Sequence, residues 1–143
     1  MTVRNGKGKY VVSTQPYKSY LELRVVGIAE GSLGGPGQQT AVLLLCLPYP
    51  TNFFVTEIQL FAPSGQLLAP ALRAPSLIPN SYPPYFDGHP FTIGNGELVT
   101  GAGYYTSCHA CGIVQYLLTW KWTGSQLKLQ AARKTSDQPP PPL

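Results

Sequence analysis

The chain has 143 residues, an ordinary size for one domain and enough to bury a core without metal or disulfide support. An apolar fraction of 43% argues against disorder throughout, while charged residues reach only 11%, against about 25% in ordinary globular proteins. No run of about 18 apolar residues exists, which excludes a helical membrane span.

Gly and Pro contribute 15 residues each, nearly twice ordinary usage, and Tyr contributes nine. Dense turn formers with few charges predict short strands joined by many turns. The net charge of +4 gathers at the ends: Arg4, Lys7, Lys9, Lys18 and Arg24 in the first 24 residues, then Lys121, Lys128, Arg133 and Lys134. Between them Arg73 stands alone against Glu30, Glu57, Asp87 and Glu97. No Arg/Lys cluster interleaves with stacking aromatics, so there is no specific nucleic-acid motif. Thr2 to Lys7 are too polar for a signal segment, so none is expected in this chain.

In chain order, residues 1–8 form a polar, Gly-rich arm, and a single β domain is expected over residues 9–133. Val11 and Val12 open a short strand. From Tyr20 to Ile28, Leu21, Leu23 and Val25 alternate with Glu22 and Arg24, the period of a half-buried strand. Gly31 to Gly37 holds four Gly and a Pro and must be a loop. Ala41 to Leu47 is continuously apolar and stops at Pro48, which suits a central strand covered on both faces. Phe54 to Phe61 alternates again, and Pro63-Ser64-Gly65-Gln66 turns the chain.

Residues 69–90 carry six prolines, which exclude a helix and disfavour a central strand. Leu72, Leu77, Ile78, Tyr82, Tyr85 and Phe86 in the same stretch suit a flap laid over the sheet. Gly94-Asn95-Gly96 joins Phe91–Ile93 to Glu97–Val99 as a hairpin. Ile113 to Trp122 is the longest strand, with Val114, Tyr116, Leu118, Trp120 and Trp122 on one face. Thr123-Gly124-Ser125 turns it into Gln126–Ala132, with Leu127 and Leu129 inward. Residues 134–143 are a Pro-rich tail of polyproline II character. The expected fold is mostly β: an antiparallel sandwich or barrel-like sheet of about seven strands with a long Pro-rich connection.

Chemistry concentrates in Cys108-His109-Ala110-Cys111, with Cys46 the only other cysteine. A redox pair would need the helix start after a strand that such motifs use, and Gly112 and a strand follow instead. Zinc on Cys46, Cys108, Cys111 and His109 has the right donors but lacks a second close pair. Attached haem would need His directly after the second Cys. The reading adopted is a structural disulfide among Cys46, Cys108 and Cys111: Cys46 to one of the turn cysteines if their strands neighbour each other, or Cys108 to Cys111. It implies an oxidising compartment. His89, in Asp87-Gly88-His89-Pro90, reads as part of a turn capped by its Asp. No nucleophile elbow, phosphate loop or close carboxylate pair is present, so no enzyme, metal or cofactor is expected.

The order of elements resembles a family of uncharacterised secreted or lipid-anchored bacterial β domains, common in actinobacteria. The matching segments are Glu30–Gln39, Thr40–Cys46, Phe54–Gly65 and Ser107–Leu129, the last with Trp120-Lys121-Trp122-Thr123-Gly124-Ser125. The family's loop carries aspartates that could hold a cation; Ser32 to Gln39 here has none, so no calcium site is implied. The resemblance implies a secreted or cell-surface location and a β fold.

Together these features suggest an extracytoplasmic, non-catalytic binding or accessory module for an unknown protein or polymer. Its candidate contacts are Tyr82, Tyr85 and Phe86 in the Pro-rich stretch and Tyr104 and Tyr105 beside the cysteine turn. The alternative is a structural subunit of a virus particle or extracellular filament, and hence a possible homo-oligomer. A thiol oxidoreductase using Cys108 and Cys111 is the third reading.

Overall fold

The computed structural model describes residues 3–4, 6–13, 19–34, 37–49, 54–78, 83–106 and 112–138. Among them the regular structure is all β, in two antiparallel sheets. Sheet A takes β1 (Val3–Arg4), β2 (Lys7–Ser13), β3 (Ser19–Gly31), β4 (Gln39–Tyr49) and β5 (Val55–Phe61), in that order. Sheet B takes β6 (Tyr85–Gly94), β7 (Glu97–Tyr105), β8 (Ile113–Trp122) and β9 (Leu127–Gln138). Each sheet is a meander of sequence neighbours. Since β1 is two residues long, each has four strands of full length, eight against the seven or so expected. No helix among the described residues is long and apolar enough to cross a membrane.

Both termini join the sheets further than their composition predicts. Val3 and Arg4 pair with Gly8 and Lys7, so part of the polar arm belongs to sheet A. β9 continues to Gln138, opposite Ile113, rather than ending before residue 134. A neighbour strand that supplies hydrogen-bond partners is enough to hold such segments extended, whatever their polarity.

The core lies between the sheets. Leu98, Thr100, Ala102 and Tyr104 fill the inner face of β7, and Leu118 and Trp120 that of β8. Ala29, Ala41, Leu43, Ile58 and Leu60 answer them from sheet A. The polar groups in this set are satisfied: Trp120 Nε1 donates to Thr100 Oγ1 at 3.2 Å, and the Tyr104 hydroxyl donates to the Pro75 carbonyl. β6 spans the seam. Its Phe86 N–H donates to Thr56 Oγ1 on β5 at 2.8 Å, and Gly88 lies beside Leu43 on β4. Further along, Phe91 and Ile93 press on Gly27 and Gly31 of β3. A Cβ at Gly31 would sit 2.6 Å from the Ile93 carbonyl oxygen, so glycine is what lets the two backbones approach. β6 therefore crosses over sheet A from β5 to β3.

A bulge in β3 reverses its faces. Val25 pairs with Leu44 and Gly27 with Leu43, leaving Val26 as the extra residue. Beyond the bulge Gly27 and Ala29 face sheet B; before it Leu21, Leu23 and Val25 share the opposite face with Leu44 and Cys46. Leu44 and Cys46 are accordingly buried yet stand outside the main core. This accounts for the unbroken apolar run Ala41–Leu47 of β4: Ala41 and Leu43 are buried towards sheet B, Leu44 and Cys46 on the other face.

The Pro-rich connection does lie over the sheet, as its leucines suggest. Leu72 exchanges both backbone hydrogen bonds with Ile58 on the edge of β5, and Leu68 N–H donates to the Leu60 carbonyl. Leu68, Leu72, Leu77 and Ile78 pack against the core. The last part of the stretch departs from that picture: Tyr85 to Pro90 open β6. Proline is tolerated there because β6 is the edge of sheet B and its pairing with β7 is interrupted between Phe86 and Phe91.

Candidate functional site

Of the five aromatic contact candidates, three are not at the surface. Phe86 and Tyr104 are 2% exposed and belong to the core, and Tyr105 is 7% exposed. Their strand positions decide this. Phe86 and Tyr104 occupy inward positions of β6 and β7, and the Tyr104 hydroxyl donates to the Pro75 carbonyl at 2.7 Å, tying down the strap. Burial pushes the Tyr104 hydroxyl up to about 12, with Tyr116 adding to it. As direct contacts these three are therefore corrected to packing residues. Tyr82 lies outside the described residues.

Tyr85 remains, half-buried on the outer face of sheet B, and it does not stand alone. It pairs with Gly103 on β7, and its ring lies over that glycine; a Cβ at residue 103 would collide with the ring. Phe54 meets it edge-on at 5.3 Å between centroids, and Tyr105 flanks it at 5.8 Å. Burial, then Tyr105, then the Asp87 carboxylate push the Tyr85 hydroxyl up to about 12, so it is a neutral donor in ordinary buffers.

Asp87, the next outward residue of β6, lies over Gly101, where a Cβ would strike its carboxylate. Oδ1 accepts the His89 N–H at 2.8 Å, the expected aspartate-capped turn, and Oδ2 accepts Gln115 Nε2 at 3.3 Å from β8. An ionised carboxylate has about four acceptor positions, so these two bonds leave acceptor capacity on Asp87. Two glycines at alternate positions of β7 thus make room for an aromatic ring and a carboxylate side by side, with an amide beyond. The sequence carries a trace of this in Gly101-Ala102-Gly103, because glycine inside a strand marks a close approach. It does not show what approaches: Asp87 and Gln115 are 28 residues apart.

The cysteines divide. Cys108 and Cys111, with His109, lie outside the described residues. Cys46 is a buried free thiol. Its strand, β4, is flanked in sheet A by β3 and β5, and β8 in sheet B by β7 and β9, so β4 and β8 do not pair. Cys46 also faces away from sheet B, beside Leu23 and Val55. Burial raises its pKa, and Glu57 adds to that while Arg73 opposes it, so the group is a protonated thiol and a poor nucleophile. Glu57 and Arg73 pair with each other at 3.1 Å. Among the described residues no three His, Cys, Asp or Glu side chains gather as a metal site would require.

Two further surfaces stand out. Val26 and Ile28 are 52% and 62% exposed on β3, on strand positions next to apolar Val42 and Leu44. β9 is a twelve-residue edge of sheet B, broken by irregular pairing at two places and lined with Lys128, Arg133 and Lys134, which guards it against pairing with other chains. No protein-family model, no curated protein and no solved structure matches this chain.

Proposed function

We propose that the chain is a non-catalytic binding module, acting outside the cytoplasm, which holds a hydroxyl-rich polymer on the outer face of sheet B. The observation that carries this reading is the group formed by Tyr85, Asp87 and Gln115 over the glycine floor of β7. Tyr85 offers apolar ring area and a neutral hydroxyl, while Asp87 retains acceptor positions for ligand hydroxyls. A flat sheet face suits an extended chain better than a small molecule, which would seek a concave site. The extracytoplasmic location rests on composition and on the resemblance to secreted β domains.

Electrophoresis through native gels containing a neutral glucan, a galactomannan or a xylan tests the reading. Retardation by at least one, weakened in both Asp87→Asn and Tyr85→Ala, supports it. The contact role fails if Asp87→Asn, which is sterically neutral, leaves the retardation unchanged, or if no polysaccharide retards the wild-type chain.

A second reading, the structural subunit, is favoured by the exposed apolar pair Val26 and Ile28 on the far face of sheet A. It expects a second copy of this chain on that face. Sedimentation at rising concentration should then show association that Ile28→Lys removes, and a persistent monomer sinks it.

A further inference from the structure

The strap over β5 contains more chain than the strand beneath it. Leu72 is bonded to Ile58 and Leu68 to Leu60, so four residue steps of strap span two steps of β5. The three residues between these bonds, Ala69-Pro70-Ala71, stand opposite Gln59 alone and arch off the sheet edge; Pro70 has no N–H with which to pair. Beneath the arch is a cavity of about 200 Å³, partly open to solvent. Its floor is Ile58 and Leu60, 1% and 3% exposed, and Leu127 at the start of β9 closes the far side. Gln126 stands at the rim, with its backbone bound to Thr123 and its side chain exposed.

We infer that this cavity is a binding site for a small uncharged molecule with one apolar body and one hydrogen-bonding group, of phenol size. Three features select that class. An apolar cavity of about 150 Å³ is enough to hold benzene, so the volume here suits a single substituted ring. Among the described residues no ionisable side chain lines it, so a charged ligand would lose its hydration without compensation. Among the described lining residues the one polar side chain is the Gln126 amide, at the rim, which fixes the polar end of the ligand outward. Leu68 and Leu72 anchor the arch on both sides, and the small Ala69 and Ala71 leave the space unfilled. This site lies on the seam between β5 and β9, separate from the Tyr85 group, and stands or falls independently of the polymer reading.

The test is titration of the methyl-labelled protein with p-cresol, toluene and p-methylbenzoate, followed by NMR. Saturable shifts confined to the Ile58, Leu60, Leu72 and Leu127 methyls are expected with p-cresol and toluene, and none with the benzoate. Gln126→Ala should weaken p-cresol by about two- to tenfold, the worth of one hydrogen bond, and leave toluene unchanged. Ala69→Leu, which fills the space, should abolish the shifts while the spectrum stays dispersed. The inference is overturned if p-cresol produces no saturable shift at these methyls, if the benzoate binds as well, or if p-cresol binds Gln126→Ala as tightly as wild type. The last arm decides even where Ala69→Leu does not fold.

Discussion

The hydrogen bond from Phe86 N–H to Thr56 Oγ1 fixes where β6 starts its crossing of sheet A, and its removal has a calculable effect. β6 is an edge strand, so on this side Phe86 has no strand partner; the N–H points to Thr56 instead, at 2.8 Å. Both residues are buried, at 2% and 5% exposure, so water cannot replace the lost partner without opening the seam. Thr56→Val keeps the shape and removes only the acceptor. Leaving one buried donor unsatisfied costs about 1–3 kcal/mol. For a chain of this size that lowers the thermal midpoint by roughly 3–12 °C. Thr56→Ser keeps the bond and loses one methyl group, about 0.8 kcal/mol. Valine should therefore be the more damaging substitution, although it is the better strand former. Amide exchange provides the local readout: the Phe86 N–H should exchange about tenfold faster or more in Thr56→Val and stay protected in Thr56→Ser. If the valine variant matches or exceeds wild type in midpoint, or if Phe86 exchange is unchanged, the bond does not position β6.

Other outcomes follow from the same packing. Gly31→Ala should destabilise by about 1–3 kcal/mol in urea unfolding, because its Cβ meets the Ile93 carbonyl. Gly94→Ala, with nothing within 4 Å, should stay within about 0.5 kcal/mol; equal effects would refute the close approach of β3 and β6. Cys46 should resist a thiol reagent at pH 8 in the native protein and react once unfolded, so prompt native labelling at Cys46, mapped by peptide mass, would contradict its burial. Tyr85 and Tyr104 titrate near 12 when folded, against an ordinary value of 10.0. The unfolded chain thus releases these protons first. Stability should hold below pH 10 and fall as pH rises through 12, as seen by unfolding midpoints across that range. In Tyr104→Phe that decline should be shallower.

Periodicity alone determined most of the strands of this protein. Alternation in Tyr20–Ile28, Phe54–Phe61 and Ile113–Trp122, with the turn residues between them, is a local property and survives any tertiary arrangement. The apolar run at Ala41–Leu47 likewise marked a strand covered twice, and the leucines of the Pro-rich stretch marked a strap. What tertiary structure decided was which side of each strand meets which neighbour. Tyr104, Phe86 and Tyr105 look like exposed aromatics in a loop-rich stretch, yet Tyr104 and Phe86 lie on strands whose facing partners bury them, and Tyr105 is buried beside Tyr85. Cys46 lies on a strand that pairs with β3 and β5 and not with β8, because each half of the chain folds into its own meander. The extra residue at the Val25–Gly27 bulge reverses a face that simple alternation would have carried straight through. The candidate sites depend on the same kind of information. Asp87 meets Gln115 only because β6 and β8 flank β7 in sheet B, and Gln126 meets the arch at Ala69-Pro70-Ala71 only because the two sheets pack together. Contacts between residues tens of positions apart leave no period in a sequence, only small residues at the points where backbone or side chain must come close.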